Sequence, residues 1–102
     1  MIFVADTMTM SPAIIGDFAR DVATMRDKVL AEDGCGHYSL LVEDAASGLV
    51  SVHEQWRDDY ALKVHFEMPW IKEFFSKYVG HIQASTEQIF DIAGDPRPLP
   101  QI

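Results

Sequence analysis

The chain has 102 residues, 48% apolar and 11% aromatic, enough apolar side chain for one modest core and too short for a second domain. Eight basic against sixteen acidic residues give a net charge of −8, which sets the surface against a phosphate backbone or an anionic membrane. Nucleic acid and membrane are therefore not expected partners. Met1 to Met10 has neither the basic start nor the apolar run of a leader peptide, and no stretch approaches the ~20 apolar residues of a bilayer span, so a cytoplasmic location is expected. Cys35 is the only cysteine, which excludes an internal disulfide and a thiolate cluster for zinc, and leaves it a small buried apolar role at a strand start.

In chain order, Ile2 to Met8 is apolar and β-prone, and Ser11-Pro12 after it has the hydroxyl and proline of a helix start. From Ala13 to Glu32 the residues Ile15, Phe18, Val22, Met25 and Val29 recur at spacings of three and four, with Asp17, Arg20, Asp21, Asp27 and Lys28 on the other faces. That spacing predicts a long amphipathic helix. Asp33-Gly34 ends it, and a strand is predicted from Cys35 to Glu43. After the loop Asp44 to Gly48, a further strand from Leu49 to Trp56 completes an antiparallel hairpin.

In this last strand Val50, Val52, Glu54 and Trp56 share one face, so a carboxylate and an indole point the same way, while Leu49, Ser51, His53 and Gln55 share the other. Asp58 or Asp59 caps a short helix to Glu67, in which His65 lies about one and a half turns from the start and is carried back toward the strand end. Met68-Pro69 restarts the chain as a second helix carrying Trp70, Ile71, Phe74, Phe75, Tyr78, Val79 and Ile82, an apolar surface wide enough to be covered on two sides. Thr86 to Ile92 is predicted as the fourth strand. Residues 1–94 are expected to form the domain, and residues 95–102, rich in proline, an extended or disordered tail.

The order β-α-β-β-α-β, with its second helix split, is that of a ferredoxin-like α+β fold. Four segments then carry a family resemblance: the N-terminal strand leading to a capped long helix; Glu32-Asp33-Gly34-Cys35 followed by Tyr38; Glu54-Gln55-Trp56 closing the third strand; and Ala61-Leu62 with His65, then Pro69 and an aromatic helix. Together they resemble the antibiotic biosynthesis monooxygenase family, small cofactor-independent oxygenases that include quinol monooxygenases. The resemblance implies a homodimer in which two four-stranded sheets pack into an α+β barrel, each substrate pocket lying between a sheet and its own helices. The residues agree with it, because helices on one sheet face leave the other to a partner, and the set containing His53 is mixed rather than charged.

The implied reaction uses molecular oxygen and a small aromatic substrate, a quinol or a polyketide-like phenol, without flavin, haem or metal. Such a substrate supplies its own electrons once deprotonated, so the protein must take a phenolic proton and hold the anion beside oxygen in a dry aromatic cavity. His65 suits the first task, since an imidazole titrates near neutrality. Trp56 suits the second as a flat wall and N–H donor, and Glu54 either orients His65 or binds a phenolic hydroxyl. His65, Trp56 and Glu54 are thus the expected catalytic set, with Thr7, Tyr38, Phe74 and Tyr78 as substrate contacts.

Plainer roles stand beside these. His65 also suits a structural bond to a carboxylate, Trp56 the core, and Glu54 a pair with Arg57 or a helix-end lysine. Tyr38, Phe74 and Tyr78 suit the core with one edge at the cavity. The four histidines show no i, i+4 ligand pair, so no metal site is expected. Haem degradation on the same fold shares a tryptophan at the end of the third strand. Thr7 here replaces its usual asparagine, and Phe74, Phe75 and Ser76 stand where an axial histidine is required. The remaining alternatives are an isomerase-type enzyme on a small dicarbonyl metabolite and a non-catalytic dimer that binds a hydrophobic ligand.

Overall fold

The computed structural model describes residues 1–101; the last residue of the expected tail, 102, lies outside the described residues. Its elements are β1 (Ile2–Met10), α1 (Ile15–Leu30), β2 (Cys35–Asp44), β3 (Leu49–Trp56), α2 (Asp59–Glu67), α3 (Pro69–Tyr78), β4 (Ile82–Ser85) and β5 (Gln88–Asp91). All pairings are antiparallel, in the order β2-β3-β1 with β4 and β5 both on the free side of β1. This is the expected α+β ferredoxin-like arrangement. Three helices, preceded by a 3-10 turn at Pro12–Ile14, cover one sheet face, and no helix among the described residues is long and apolar enough to cross a membrane.

The local chemistry of each element is visible in its ends. Pro12 opens the 3-10 turn, but Ser11 makes no side-chain cap, and the α-helix proper begins only at Ile15. Its buried residues are Ile15, Phe18, Val22, Met25 and Val29, as the three-and-four spacing requires. Gly34 takes a φ of +85° at the turn into β2, and a Cβ there would lie 2.7 Å from that of Ala61. The open choice of cap for α2 falls to Asp58, whose carboxylate accepts from Ala61 N–H at 2.8 Å. At the hairpin end, Gly48 has a φ of +75° and its carbonyl accepts from Met10 N–H at 2.8 Å, which ties the turn to β1.

The expected fourth strand is two short ones. β5 pairs with Ile2 to Ala5 and β4 with Met8 to Met10, leaving a break opposite Asp6 and Thr7 where Asp6 adopts a φ of 126°. A non-glycine residue there is strained, and the sheet edge changes partner strand at that point. Helix α3 also stops sooner than its apolar pattern implies. Val79 and Phe75 are exposed, and Ile82 belongs to β4, so the wide apolar surface is not covered on both sides within one chain.

Register divides the sheet into two unlike faces. Ile2, Met8, Met10, Tyr38, Val50, Val52, Glu54 and Trp56 are buried beneath the helices. On the opposite face Phe3 lies between His37 and His53, with ring centroids 6.5 and 6.1 Å away, and Leu41 and Phe90 are exposed. The face that carries Glu54 is therefore enclosed by the chain itself, while the face that carries His53 is open.

Candidate active site

Burial of charge marks the site before any cavity is considered. Four polar or charged residues, Glu32, Ser51, Glu54 and His65, are less than 9% exposed, and two of them form a pair. His65 on α2 places Nδ1 2.9 and 3.1 Å from the two oxygens of Glu32, the second residue after α1. The indole N–H of Trp70 on α3 donates to the same carboxylate at 3.0 Å. Burial lowers the pKa of His65, and the Glu32 carboxylate opposes this less strongly, so the imidazole is held neutral near pH 7. A neutral imidazole bonded to a carboxylate through Nδ1 carries its hydrogen there, and Nε2 is left as an acceptor.

Glu54 sits in a different environment. Its Oε1 accepts from the indole N–H of Trp56 at 3.0 Å, and burial pushes its pKa from 4.5 up to about 7 against the lowering effect of that bond, with Glu87 and Glu32 adding repulsion. Tyr38, cross-strand from Glu54, is 3% exposed, and burial together with the Glu54 charge raises its pKa, so its hydroxyl keeps its proton. Among the described residues no fully sealed polar side-chain atom lacks a partner. Yet His65 Nε2, the Tyr38 hydroxyl and the second oxygen of Glu54 bond to nothing among the described residues, so these three atoms must be accessible.

They meet a cavity of about 300 Å³ that all three residues line. Val4, Met8, Leu40 and Val52 form its sheet wall, Phe66, Phe74 and Phe75 its helix wall, and Ser85 and Glu87 its rim at the β4–β5 break. An apolar, aromatic chamber with a few inward polar groups is the usual form of a small-molecule site. A second groove of about 250 Å³ between α1 and α3 is more open, and its polar groups are largely matched to one another, with Lys77 2.7 Å from Asp21.

The structure thus divides the expected residues. Tyr38, Glu54, His65 and Phe74 line one cavity. Trp56 is wholly buried behind it, with its ring centroid 4.6 Å from that of His65, and supports both catalytic candidates without forming the wall. Thr7 does not join them: it pairs with Ser51 on the opposite sheet face, because period two separates it from Met8, and its backbone carbonyl accepts from Thr86 N–H at 2.9 Å. Tyr78 is also elsewhere, packed on Phe18 and hydrogen-bonded to Asp21 of α1. Glu54 neither orients His65 nor pairs with Arg57, which instead holds Asp33 at 3.0 Å. Glu32 takes the orienting role, a partner 33 residues distant in sequence, and Glu87 at the rim is equally unanticipated.

Comparison with known proteins agrees with this architecture. A family model described as antibiotic biosynthesis monooxygenase matches residues 1–77. Among solved structures, PA3566 from Pseudomonas aeruginosa is 26% identical, with 91% of this chain and 93% of that one covered and a TM-score of 0.75. An antibiotic biosynthesis monooxygenase is 21% identical over 92% of this chain and 100% of that one, with a TM-score of 0.79. Rv0793 from Mycobacterium tuberculosis is 20% identical over 94% and 98%, with a TM-score of 0.78. No curated protein matches the sequence.

The raised pKa of Glu54 has a measurable consequence for stability. The folded chain binds this proton more tightly than the unfolded chain, so the cost of ionising Glu54 is absent below pH 4.5, grows as pH rises, and is complete above about 7. Its full size is roughly 3 kcal/mol. Glu54→Gln keeps an acceptor for Trp56 and removes the charge. Thermal melts should find the variant more stable than the wild type at pH 8, by up to that amount, and nearly equal to it at pH 4.

Proposed function

The chain belongs to the antibiotic biosynthesis monooxygenase family, and from that premise we propose that it is a cofactor-independent monooxygenase acting on a quinol or a polyketide-like phenol. The observation that carries the reading is the paired state of His65, whose Nδ1 is engaged by Glu32 while Nε2 has no partner among the described residues and its ring lines the cavity. In this mechanism Nε2 accepts the phenolic proton of the substrate. Glu32 holds the ring and stabilises the imidazolium that forms. The Tyr38 hydroxyl donates to the developing oxyanion, and Glu54 bonds a second hydroxyl or passes a proton.

Deprotonation makes a ring carbon electron-rich enough to reduce dioxygen. A carbon–oxygen bond forms to give a hydroperoxide, the oxygen–oxygen bond then breaks, and one oxygen remains as a carbonyl while the other leaves as water. The substrate supplies all four electrons. Phe66, Phe74 and the apolar sheet wall keep water from the anion, and Trp56 fixes Glu54 rather than touching the substrate.

We further propose a homodimer through the open sheet face, centred on Phe3 with His37, His53, Leu41 and Phe90. What supports it is an apolar and aromatic surface that no element among the described residues covers. Sedimentation velocity should give a dimer for the wild type and a monomer for Phe3→Glu with an unchanged far-ultraviolet spectrum. A wild-type monomer at micromolar concentration would contradict the arrangement.

Oxygen-electrode traces with hydroquinones, naphthoquinols and anthrones test the reaction. The wild type should consume oxygen above the autoxidation rate, His65→Ala should lose about 10²–10⁴-fold, and Trp56→Phe should lose less. Uptake that is flat for every substrate, with tight ligand binding retained, would instead favour a binding protein.

A further inference from the structure

We infer that the cavity selects an uncharged hydroxyaromatic of about two fused rings and rejects its carboxylated or phosphorylated analogues, with Glu87 at the rim as the specificity-determining residue. The inference rests on reading this cavity as the substrate site. An anion must be matched by a cation or by several donors when it leaves water. None of the residues lining the cavity is lysine or arginine, and two of them, Glu54 and Glu87, are carboxylates. A third, Glu32, lies directly behind His65. Lys63 lines the neighbouring groove with Asp59 and Glu67, outside the chamber.

The interior donors do not compensate. Tyr38 offers one hydroxyl and Glu54 a proton it is close to releasing at pH 7, neither of them a cation, and His65 is held neutral with its hydrogen turned to Glu32, so Nε2 presents a lone pair. A neutral phenol fits this set in both directions, donating to Nε2 or Glu54 and accepting from Tyr38. Glu87 occupies the break between β4 and β5, half-buried and near enough to Glu54 for its charge to help keep that proton in place. A substrate carboxylate entering there meets like charge, with the Ser85 hydroxyl as the one side-chain donor among the rim residues. Size sets the other limit: an apolar cavity of about 150 Å³ accepts benzene, and the ~300 Å³ here corresponds to two rings.

Calorimetric titration at pH 7 and low ionic strength, in the absence of oxygen, tests this with three probes: 2-naphthol, 6-hydroxy-2-naphthoate and the methyl ester of the latter. Naphthol and ester should bind at least tenfold more tightly than the carboxylate, and Glu87→Gln should narrow the ratio of naphthol to carboxylate affinity threefold or more. Equal binding of the carboxylate would overturn the inference, and so would an ester as weak as the acid, since bulk rather than charge would then discriminate. An unchanged ratio in Glu87→Gln would overturn the assignment to that residue. Failure of all three probes to bind would overturn the reading of the cavity itself and this inference with it.

Discussion

The carboxylate of Glu32 is the point to which three helices are tied. It follows α1, accepts from His65 on α2 and from Trp70 on α3, and is itself only 8% exposed. A charge so placed is costly to leave unmatched, and a hydrogen bond to a charged group typically contributes about 1.5–3 kcal/mol. The helices are therefore fixed relative to one another by the same contact that sets the histidine's tautomer. Cavity shape depends on it too, because Phe66 adjoins His65 in α2 and Phe74 follows Trp70 by about one turn in α3.

Two buried carboxylates, handled differently, divide the work of the site. Glu32 is satisfied by a histidine and an indole, and its negative charge favours imidazolium in opposition to burial. Glu54 has one indole donor and no cation beside it among the described residues, so burial pushes its pKa up to about 7. The two titrations have opposite consequences. Neutral His65 contributes stability that is fully present above its unfolded value near 6.5 and is lost as pH falls, whereas Glu54 costs stability as pH rises from 4.5 to about 7. Near neutrality the chain holds a base that is free of its proton beside an acid that is close to releasing one, which is the condition for moving a proton within one chamber.

Much of this arrangement was legible in residue spacing. Period two put Val50, Val52, Glu54 and Trp56 on one face, and the position of His65 in its helix brought it against Trp56. The long helix was equally clear from its five buried residues. What could not be read were contacts between elements: Glu32 lies in a loop with no periodicity, and only the assembled helices show that it meets His65 and Trp70. A carboxylate just before the Asp33-Gly34 stop was the available signal. Thr7 and Tyr78 lie away from the cavity for another reason, since one-residue parity and the direction of α3 decide which side of a wall a residue occupies. The divided fourth strand depends on the backbone of Asp6, whose positive φ its side chain does not announce.

The chemistry open to the cavity turns on one proton, the hydrogen on Nδ1 of His65. A nitrogen-15 nuclear magnetic resonance titration of the imidazole reads both tautomer and pKa directly. The structure requires the neutral ring to carry hydrogen on Nδ1, with Nε2 unprotonated at pH 7, and to titrate below 6.5 in the wild type. Glu32→Gln should lower that pKa further, since the carboxylate favours the charged ring. A ring protonated on Nε2, or one that stays positively charged above pH 7, would contradict the assignment of His65 as the base.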